Sequence, residues 1–480
     1  LVVLTFKSRD NNKIMKKIFL IVVLFIFYIS NAYADKEYLK NFNKFLSNNT
    51  KFISENGIKG LKFTNICKEE KKFSKKWMEH ECEFMAAGVF EVQNNLKIKF
   101  YKDRNNIPWG KEANFDTLFY YGFASIDDDS GFKDIGSKNS NEPYKFSFNL
   151  REDKDVKKEI NQTGLLSYLL YEDGKIVVDE KTPKNRFGIF FDDNIGWTSA
   201  SMGKSITSYV IGHAICEGYI DSVDAKLNDW PLIENSLYHD QKLIDLLNFT
   251  AGDQKLSKTN LTKGGKKWSK NPNRNTVKFH MEKGIFKDTK GKKSKSKYNY
   301  SNVVSNILIN YAAFKSGDNF QNLLNKIFIS KVKIEYPVYF KVMHSDSVQG
   351  KYKVNEKIDG AIRYSFVATR YDYLRIAKAM MDDWQKDTCA GKYLKDLYKN
   401  KIPKNDKYKD DNNATLNSKS YAGQFHTDYS GLKDRVIMGM DGASGQSILI
   451  DFERSKIVVI NSIHTDYNWK KIAHSVIKKG

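Results

Sequence analysis

Ser201-Met202-Gly203-Lys204 is the stretch of this sequence in which residue types and spacing combine into chemistry. A serine hydroxyl is a weak nucleophile and needs an adjacent base. Residues three apart on a helix share a face, so a helix through these positions sets the Lys204 amine against the Ser201 hydroxyl. An amine buried near apolar or cationic groups sheds its proton more readily and can then accept one. A helix start also favours negative charge developing nearby. The tetrapeptide alone does not single out Ser201. Ser-x-x-Lys also occurs at Ser130, Ser294, Ser330, Ser430 and Ser475, and an ordinary helix-start serine is the competing reading.

The surrounding elements separate these serines. Residues 201–219 carry Met202, Ile206, Val210 and Ala214 at helical spacing. Ile211 and Ile215 widen the stripe, which predicts a well-buried helix opening at Ser201. The other five serines lie in polar loops or near chain ends. Residues 165–170 and 176–178 are apolar runs around Glu172-Asp173-Gly174-Lys175, a hairpin signal. Residues 303–313 read as a helix. Thr369 with Asp372 reads as the cap of another, which makes Asp372 and Arg375 structural. Residues 435–440, 446–451 and 456–462 read as strands, and 469–477 as a last helix. Residues 254–297, rich in Lys, Gly and Asn, read as a long surface loop or lid. Strands at both ends with helices between predict an α+β fold: an antiparallel sheet flanked by helices, with an inserted all-helical domain.

Residues 197–208, Trp-Thr-Ser-Ala-Ser-Met-Gly-Lys-Ser-Ile-Thr-Ser, resemble the nucleophile segment of the class C β-lactamase-related serine hydrolases. That family includes β-lactamases, D,D-peptidases, carboxylesterases and 6-aminohexanoate-dimer hydrolases. The likeness continues through residues 212–220 and 246–252 and covers roughly residues 164–478. It implies a β-lactamase/transpeptidase-like fold, an acyl-enzyme on Ser201 and Lys204 as base. The family's second motif, Tyr-x-Asn, matches Tyr300-Ser301-Asn302 ahead of an apolar helix. It implies proton transfer by Tyr300, and binding of the lysine and the substrate by Asn302. Tyr398-Lys399-Asn400 fits the same letters in a polar stretch. In the third motif a Lys or His precedes a small residue and Gly. Met440-Asp441-Gly442 stands there, so Gly442 fits and the basic residue is missing. Residues 442–446 also resemble the Gly-Ile-His-Gly-Gln stretch of the amide-hydrolysing branch. Both registers make the Ala443 N–H the second oxyanion donor beside that of Ser201.

The missing basic residue normally helps hold a substrate carboxylate, and Asp441 would repel one if it faced the site. An ester or linear amide is therefore the expected small-molecule substrate. A β-lactamase or D,D-peptidase is the alternative, and a non-catalytic cell-wall or ligand-binding protein is the rival of another class. A surface adhesin driven by charge is a further rival. No Gly-x-Ser-x-Gly elbow occurs, which disfavours an α/β-hydrolase. His213 reads as a packed core residue, while His344, His426 and His464 are placed to rim the site. The His-Thr-Asp-Tyr stretch occurs twice, at 426–429 and 464–467.

Composition bounds the rest. The chain has 480 residues, 41% hydrophobic and 14% aromatic, enough for a real core. Its net charge of +22 comes mainly from Lys spread along the chain, not from the concentrated stripe of a nucleic-acid binder. No nucleic acid and no specific protein partner are expected. Met15-Lys16-Lys17, an apolar run of twelve residues at 18–29 and Ala32-Tyr33-Ala34 read as a signal peptide cleaved after Ala34. The run is too short to span a bilayer as a helix, so a periplasmic or secreted protein without a stable membrane anchor is expected. Residues 1–34 are then an upstream extension plus signal peptide, 35–150 an N-terminal extension of unassigned role, and 151–480 the hydrolase domain. Cys67 and Cys82 lie close enough to pair or to stay as two thiols. Cys216, in an apolar helix pattern, reads as a buried free thiol. No CxxC or paired-His spacing supports a metal, and the chemistry needs no cofactor.

Overall fold

The computed structural model describes residues 61–65, 88–92, 135–183, 191, 193–256, 277–278, 280–281, 286–342, 362–404, 414–432 and 434–479. The signal-peptide region, Cys67 and Cys82, Ser130 and His344 lie outside the described residues. Fifteen strands are labelled in chain order. They are β1 (Leu61–Asn65), β2 (Gly88–Val92), β3 (Gly136–Ser137), β4 (Ser147–Phe148), β5 (Leu165–Glu172), β6 (Lys175–Lys181) and β7 (Trp197–Thr198). Then come β8 (Val338–Val342), β9 (Ile362–Ala368), β10 (Ile402–Pro403), β11 (Ser418–Ala422) and β12 (Phe425–Tyr429). β13 (Ile437–Gly442), β14 (Gln446–Asp451) and β15 (Lys456–Ser462) complete the set.

The main sheet has nine strands in the order β10-β11-β12-β13-β14-β15-β5-β6-β4. Every neighbouring pair is antiparallel except β4 with β6. The β5–β6 hairpin turns at Asp173 and Gly174, both at positive φ, as Asp-Gly predicts. β15 returns from the far end of the chain to pair with β5, Ile457 opposite Tyr171 and Val459 opposite Leu169. These central strands are buried along nearly their whole length because both faces are covered. Leu166, Leu169, Ile448, Ile450, Ile457 and Val459 point into the larger core. Their alternates Leu165, Leu170, Leu449, Val458 and Ile460 face helix Lys154–Gln162 and the terminal helical turns at 470–478.

The larger core lies beneath the segment inserted between β6 and β11. Its helices include Gly203–Cys216, Asn302–Ser316, Arg370–Gln385 and Cys389–Lys399. The fold is therefore α+β, an antiparallel sheet flanked by helices with a helical insertion. The insertion also carries strands of a second sheet, β3-β8-β9-β7, which the sequence reading did not anticipate. Residues 135–149 belong to this body: Ile135 is in the core, β3 pairs with β8 and β4 with β6. Thr369 caps Arg370–Gln385 as predicted: its hydroxyl oxygen accepts from Asp372 N–H. Arg375 binds the Asp372 carboxylate at 2.8 Å, a structural role for both. The 254–297 segment is only partly a surface loop. Val277, Met281 and Phe286 are buried, and Phe286 packs on Tyr238 with ring centroids 5.1 Å apart.

One expectation is overturned. Cys216 is not a free thiol; it is disulfide-bonded to Cys389 across 173 residues of sequence. Cys216 is also only half-buried, and helical periodicity says nothing of a cysteine's partner, which the tertiary arrangement sets.

Candidate active site

Ser201 lies in a 3₁₀ turn, Ala200–Met202, that runs directly into the buried helix Gly203–Cys216. Ile206, Val210, Ile211 and Ala214 of that helix are fully buried, as the stripe predicts. The approach to the turn is pinned by β9. Trp197 and Thr198 pair with Ala368 and Val367. Ser199 N–H then donates to the Phe366 carbonyl at 2.7 Å, and Phe366 N–H to Ser199 Oγ at 2.8 Å. Ala200 sits at φ 46°, a left-handed conformation that is unfavourable for a residue with a Cβ. Gly203 is needed for close approach, because a Cβ there would lie 2.1 Å from the Tyr364 carbonyl oxygen.

Tyr300 and Lys204 converge on the Ser201 hydroxyl, and Asn302 meets Lys204. The Tyr300 hydroxyl is 2.6 Å from Ser201 Oγ, and Lys204 Nζ is 3.3 Å from it. Lys204 Nζ also donates to Asn302 Oδ1 at 2.8 Å. Tyr300 precedes and Asn302 begins helix Asn302–Ser316, whose N-cap is Ser301. Tyr300, Asn302 and Lys204 thus meet although 98 residues separate Lys204 from Asn302. Tyr398 and Asn400, which fit the same letters, end a different helix. There Asn400 hydrogen-bonds Asp396, and Tyr398 packs against Trp384. The other described Ser-x-x-Lys serines serve locally. Ser294 binds the Gly252 carbonyl, Ser330 is inside the helical turns at 326–332, Ser430 follows β12 and Ser475 opens the last helical turn.

Electrostatics divides the roles. Lys204 is 1% exposed, and burial, with Arg363 second, holds its amine well below the ordinary lysine pKa. Although 43% of Tyr300 is exposed, desolvation at its hydroxyl, followed by the neighbouring Tyr364, raises its pKa well above the ordinary value. The phenol therefore keeps its proton, and the amine gives its own up more readily than an ordinary lysine.

Tyr364 of β9 completes the enclosure of Lys204. Its ring centroid is 3.2 Å from Lys204 Nζ, and its hydroxyl donates to Asn302 Oδ1 at 3.0 Å. Nothing in the sequence marked Tyr364. It stands in an alternating strand with no motif around it.

Gly442 ends β13 against the nucleophile's turn. A Cβ there would lie 2.4 Å from the Ser199 carbonyl oxygen and 3.3 Å from Ala200 Cβ. Ala443 follows at the start of a 3₁₀ turn, one residue beyond that close approach. Met440 is buried, and no cation stands at its position. Asp441 is turned toward Thr415: its carboxylate accepts from the Thr415 N–H at 3.1 Å and from the Thr415 hydroxyl. Burial pushes its pKa up to about 7. The repulsion expected of Asp441 is correspondingly weaker than the sequence implied.

Among the described residues, no histidine is hydrogen-bonded to Ser201. His213 packs edge-on against Tyr209 on the nucleophile helix, and burial lowers its pKa to about 4. His426 is the second residue of β12, where its Nδ1 lies 3.3 Å from Lys404 Nζ and from Ser418 Oγ. Burial, then Lys404 and Lys204, keeps it well below its ordinary pKa. The repeated His-Thr-Asp-Tyr stretch has no common role. Asp428 pairs with Lys401 at 2.6 Å, whereas Asp466 accepts from Gly164 N–H at 2.8 Å. Beside the nucleophile, Tyr300, Phe249 and Tyr421 form an aromatic wall, with centroids 5.2 Å apart from Phe249 to each of the others.

No protein-family model and no curated protein sequence matches the chain. Solved structures do. A protein named as a 6-aminohexanoate-dimer hydrolase, from Bacillus anthracis, aligns over 78% of this chain and 96% of its own, with 13% identity and a TM-score of 0.48. FmtA from Staphylococcus aureus aligns over 71% of this chain and 94% of its own, with 16% identity and a TM-score of 0.43. A class C β-lactamase in complex with cefoxitin aligns over 66% of this chain and 94% of its own, with 13% identity and a TM-score of 0.42.

Proposed function

We propose that this chain is an exported serine hydrolase that cleaves an ester or a linear amide through an acyl-enzyme on Ser201. The observation that carries the proposal is the approach of Tyr300 OH and Lys204 Nζ to one hydroxyl, at 2.6 and 3.3 Å. Ser201 Oγ attacks the carbonyl carbon, and its proton passes to Lys204 directly or through Tyr300. The N–H groups of Ser201 and Ala443 hold the oxyanion, favoured by the helix start. Collapse breaks the bond to the leaving group, which takes a proton from Tyr300 as the Lys204 ammonium returns its proton to the phenol, leaving both groups neutral. Water then attacks the acyl-enzyme with the same groups as base, releasing the acid and restoring Ser201. Asn302 keeps the amine in place and faces the substrate. Buried Met440 offers no cation to a substrate carboxylate, which favours esters and linear amides over penicillins and D-Ala-D-Ala.

Export is part of the proposal. It rests on the signal-like segment ending at Ala34 and is supported by the Cys216–Cys389 disulfide, since such bonds persist in oxidising compartments. A fluorophosphonate tests the nucleophile. It should label the purified protein at Ser201, with all labelling lost in Ser201→Ala. An unlabelled wild-type protein would instead support a non-catalytic binder. Parallel assays with p-nitrophenyl esters, linear amides and nitrocefin then sort the substrates. Efficient nitrocefin turnover that disappears in Ser201→Ala would overturn the ester or amide assignment.

A further inference from the structure

Lys204 is boxed on every side by groups that have been placed above. Its own turn supplies Ser201 Oγ, and the start of helix Asn302–Ser316 supplies Asn302 Oδ1. The Tyr300 ring centroid is 4.9 Å away and that of Tyr364 only 3.2 Å. The charged groups acting on it are Arg363 of β9 and the neutral-tending His426 of β12; Asp441 of β13 acts on Tyr300 and is held by Thr415. No described carboxylate is hydrogen-bonded to the amine. Once Ser201 gives up its proton, the amine becomes an ammonium in a desolvated site, and a buried unpaired cation is strongly disfavoured. What faces it there is the π surface of Tyr364.

We propose that Tyr364 is a positioning residue of acyl transfer, its ring stabilising the ammonium that Lys204 becomes while its hydroxyl fixes Asn302. The proposal rests on the serine-hydrolase reading. The electron-rich face of an aromatic ring attracts a cation within about 6 Å, and the attraction grows with desolvation. The neutral amine gains far less. The ring therefore raises the proton affinity of Lys204 from the low value that burial alone would set. The Tyr364 hydroxyl and Lys204 share one acceptor, Asn302 Oδ1, so the strand holds the amide that holds the amine.

The test follows the rate of fluorophosphonate labelling against pH in full-length wild type, Tyr364→Leu, Tyr364→Phe and a variant with pentafluorophenylalanine at 364. Labelling requires neutral Lys204, so its rate falls below the amine's pKa. Removing the ring in Tyr364→Leu should move this acid limb to lower pH by roughly half to one unit. A merely structural loss would admit water, favour the ammonium and move the limb upward. Tyr364→Phe keeps the ring and should leave the limb in place, while loss of the hydroxyl that fixes Asn302 lowers the labelling rate by a similar factor at every pH. Pentafluorophenylalanine keeps the shape but reverses the ring's charge distribution, and should reproduce the downward shift even if Tyr364→Leu does not fold. A limb that stays put in both the leucine and the fluorinated variants overturns the proposal, as does an upward shift. If wild type is not labelled at all, the hydrolase reading fails instead.

Discussion

A lysine amine with 1% of its surface exposed is disfavoured as a cation, and that bears on stability as well as catalysis. Burial holds the folded-state pKa of Lys204 below the unfolded value. Between the two, the unfolded chain binds more protons than the native one, so stability rises with pH through that window and falls as pH drops toward the folded pKa. Lys204→Met removes the term. The variant should lose labelling at Ser201 by roughly 10²–10⁴-fold, the usual worth of a general base. It should nevertheless unfold at a higher temperature than wild type at pH 6, with the gap narrowing toward pH 10. Calorimetry at a series of pH values measures this, and a methionine variant less stable than wild type at pH 6 would contradict it. Which residues belong to the site was legible only in part. Ser201 and Lys204 stood out because they open a locally periodic helix, whereas Tyr300 and Asn302 were pointed to only by the resemblance of Tyr300-Ser301-Asn302 to a family motif. Tyr364 and Asp441 could not be placed, since their roles depend on what stands across from them: Lys204 for the one and Thr415 for the other.

At the scale of elements, the site is a junction between the start of a helix, the end of β13 and the middle of β9. The helix and the hairpin β5–β6 were readable because their signals lie within a dozen residues. The second sheet was not, because Trp197 must find Ala368 and Gly136 must find Tyr339. No local periodicity encodes such pairings. β11 and β12 were missed for a related reason: their tight turn at Gly423 and Gln424 interrupts alternating residues with buried polar ones. Gln424 in turn braces the junction. Its carbonyl accepts from Ser205 Oγ at 2.6 Å, and its side chain accepts from Ser305 Oγ at 2.7 Å. The contact between β13 and the nucleophile's turn depends on Gly442 having no Cβ. In Gly442→Ala the added carbon would meet the Ser199 carbonyl at 2.4 Å, and backbone must shift to admit it. Displacing the turn by as little as about 1 Å misaligns attack and can lower the rate roughly 10²-fold. Labelling of Gly442→Ala should therefore fall by about that factor while the far-ultraviolet circular dichroism stays native. A variant labelled at the wild-type rate would show that the strand end does not set the geometry of Ser201.

Across the whole molecule, one covalent link joins the helix behind the nucleophile to the helix Cys389–Lys399 packed beside it. Cys216 ends a helix of fourteen residues that begins at Gly203, so the bond lies about 20 Å along the helix from the catalytic turn. It closes a loop of 173 residues, which includes the second sheet's β8 and β9, Tyr300 and Tyr364. Constraining so long a loop removes much of the unfolded chain's freedom, worth up to about 5 kcal/mol in the chain-entropy account. That is of the same order as the net stability of an ordinary domain, about 5–15 kcal/mol. Reduction should therefore lower the denaturant midpoint markedly. Its distance from Ser201 means that the reduced protein, while still folded, should label at the oxidised rate. Urea titrations with and without reductant, each followed by fluorophosphonate labelling, separate the two effects. An unchanged midpoint would show that packing alone holds the two helices together. Labelling lost on reduction before any unfolding would instead tie the bond directly to the geometry of the nucleophile. The expected pattern, lower stability with undiminished labelling, fits a bond that secures the insertion carrying Tyr300 and Tyr364, while the site needs only that the insertion be in place.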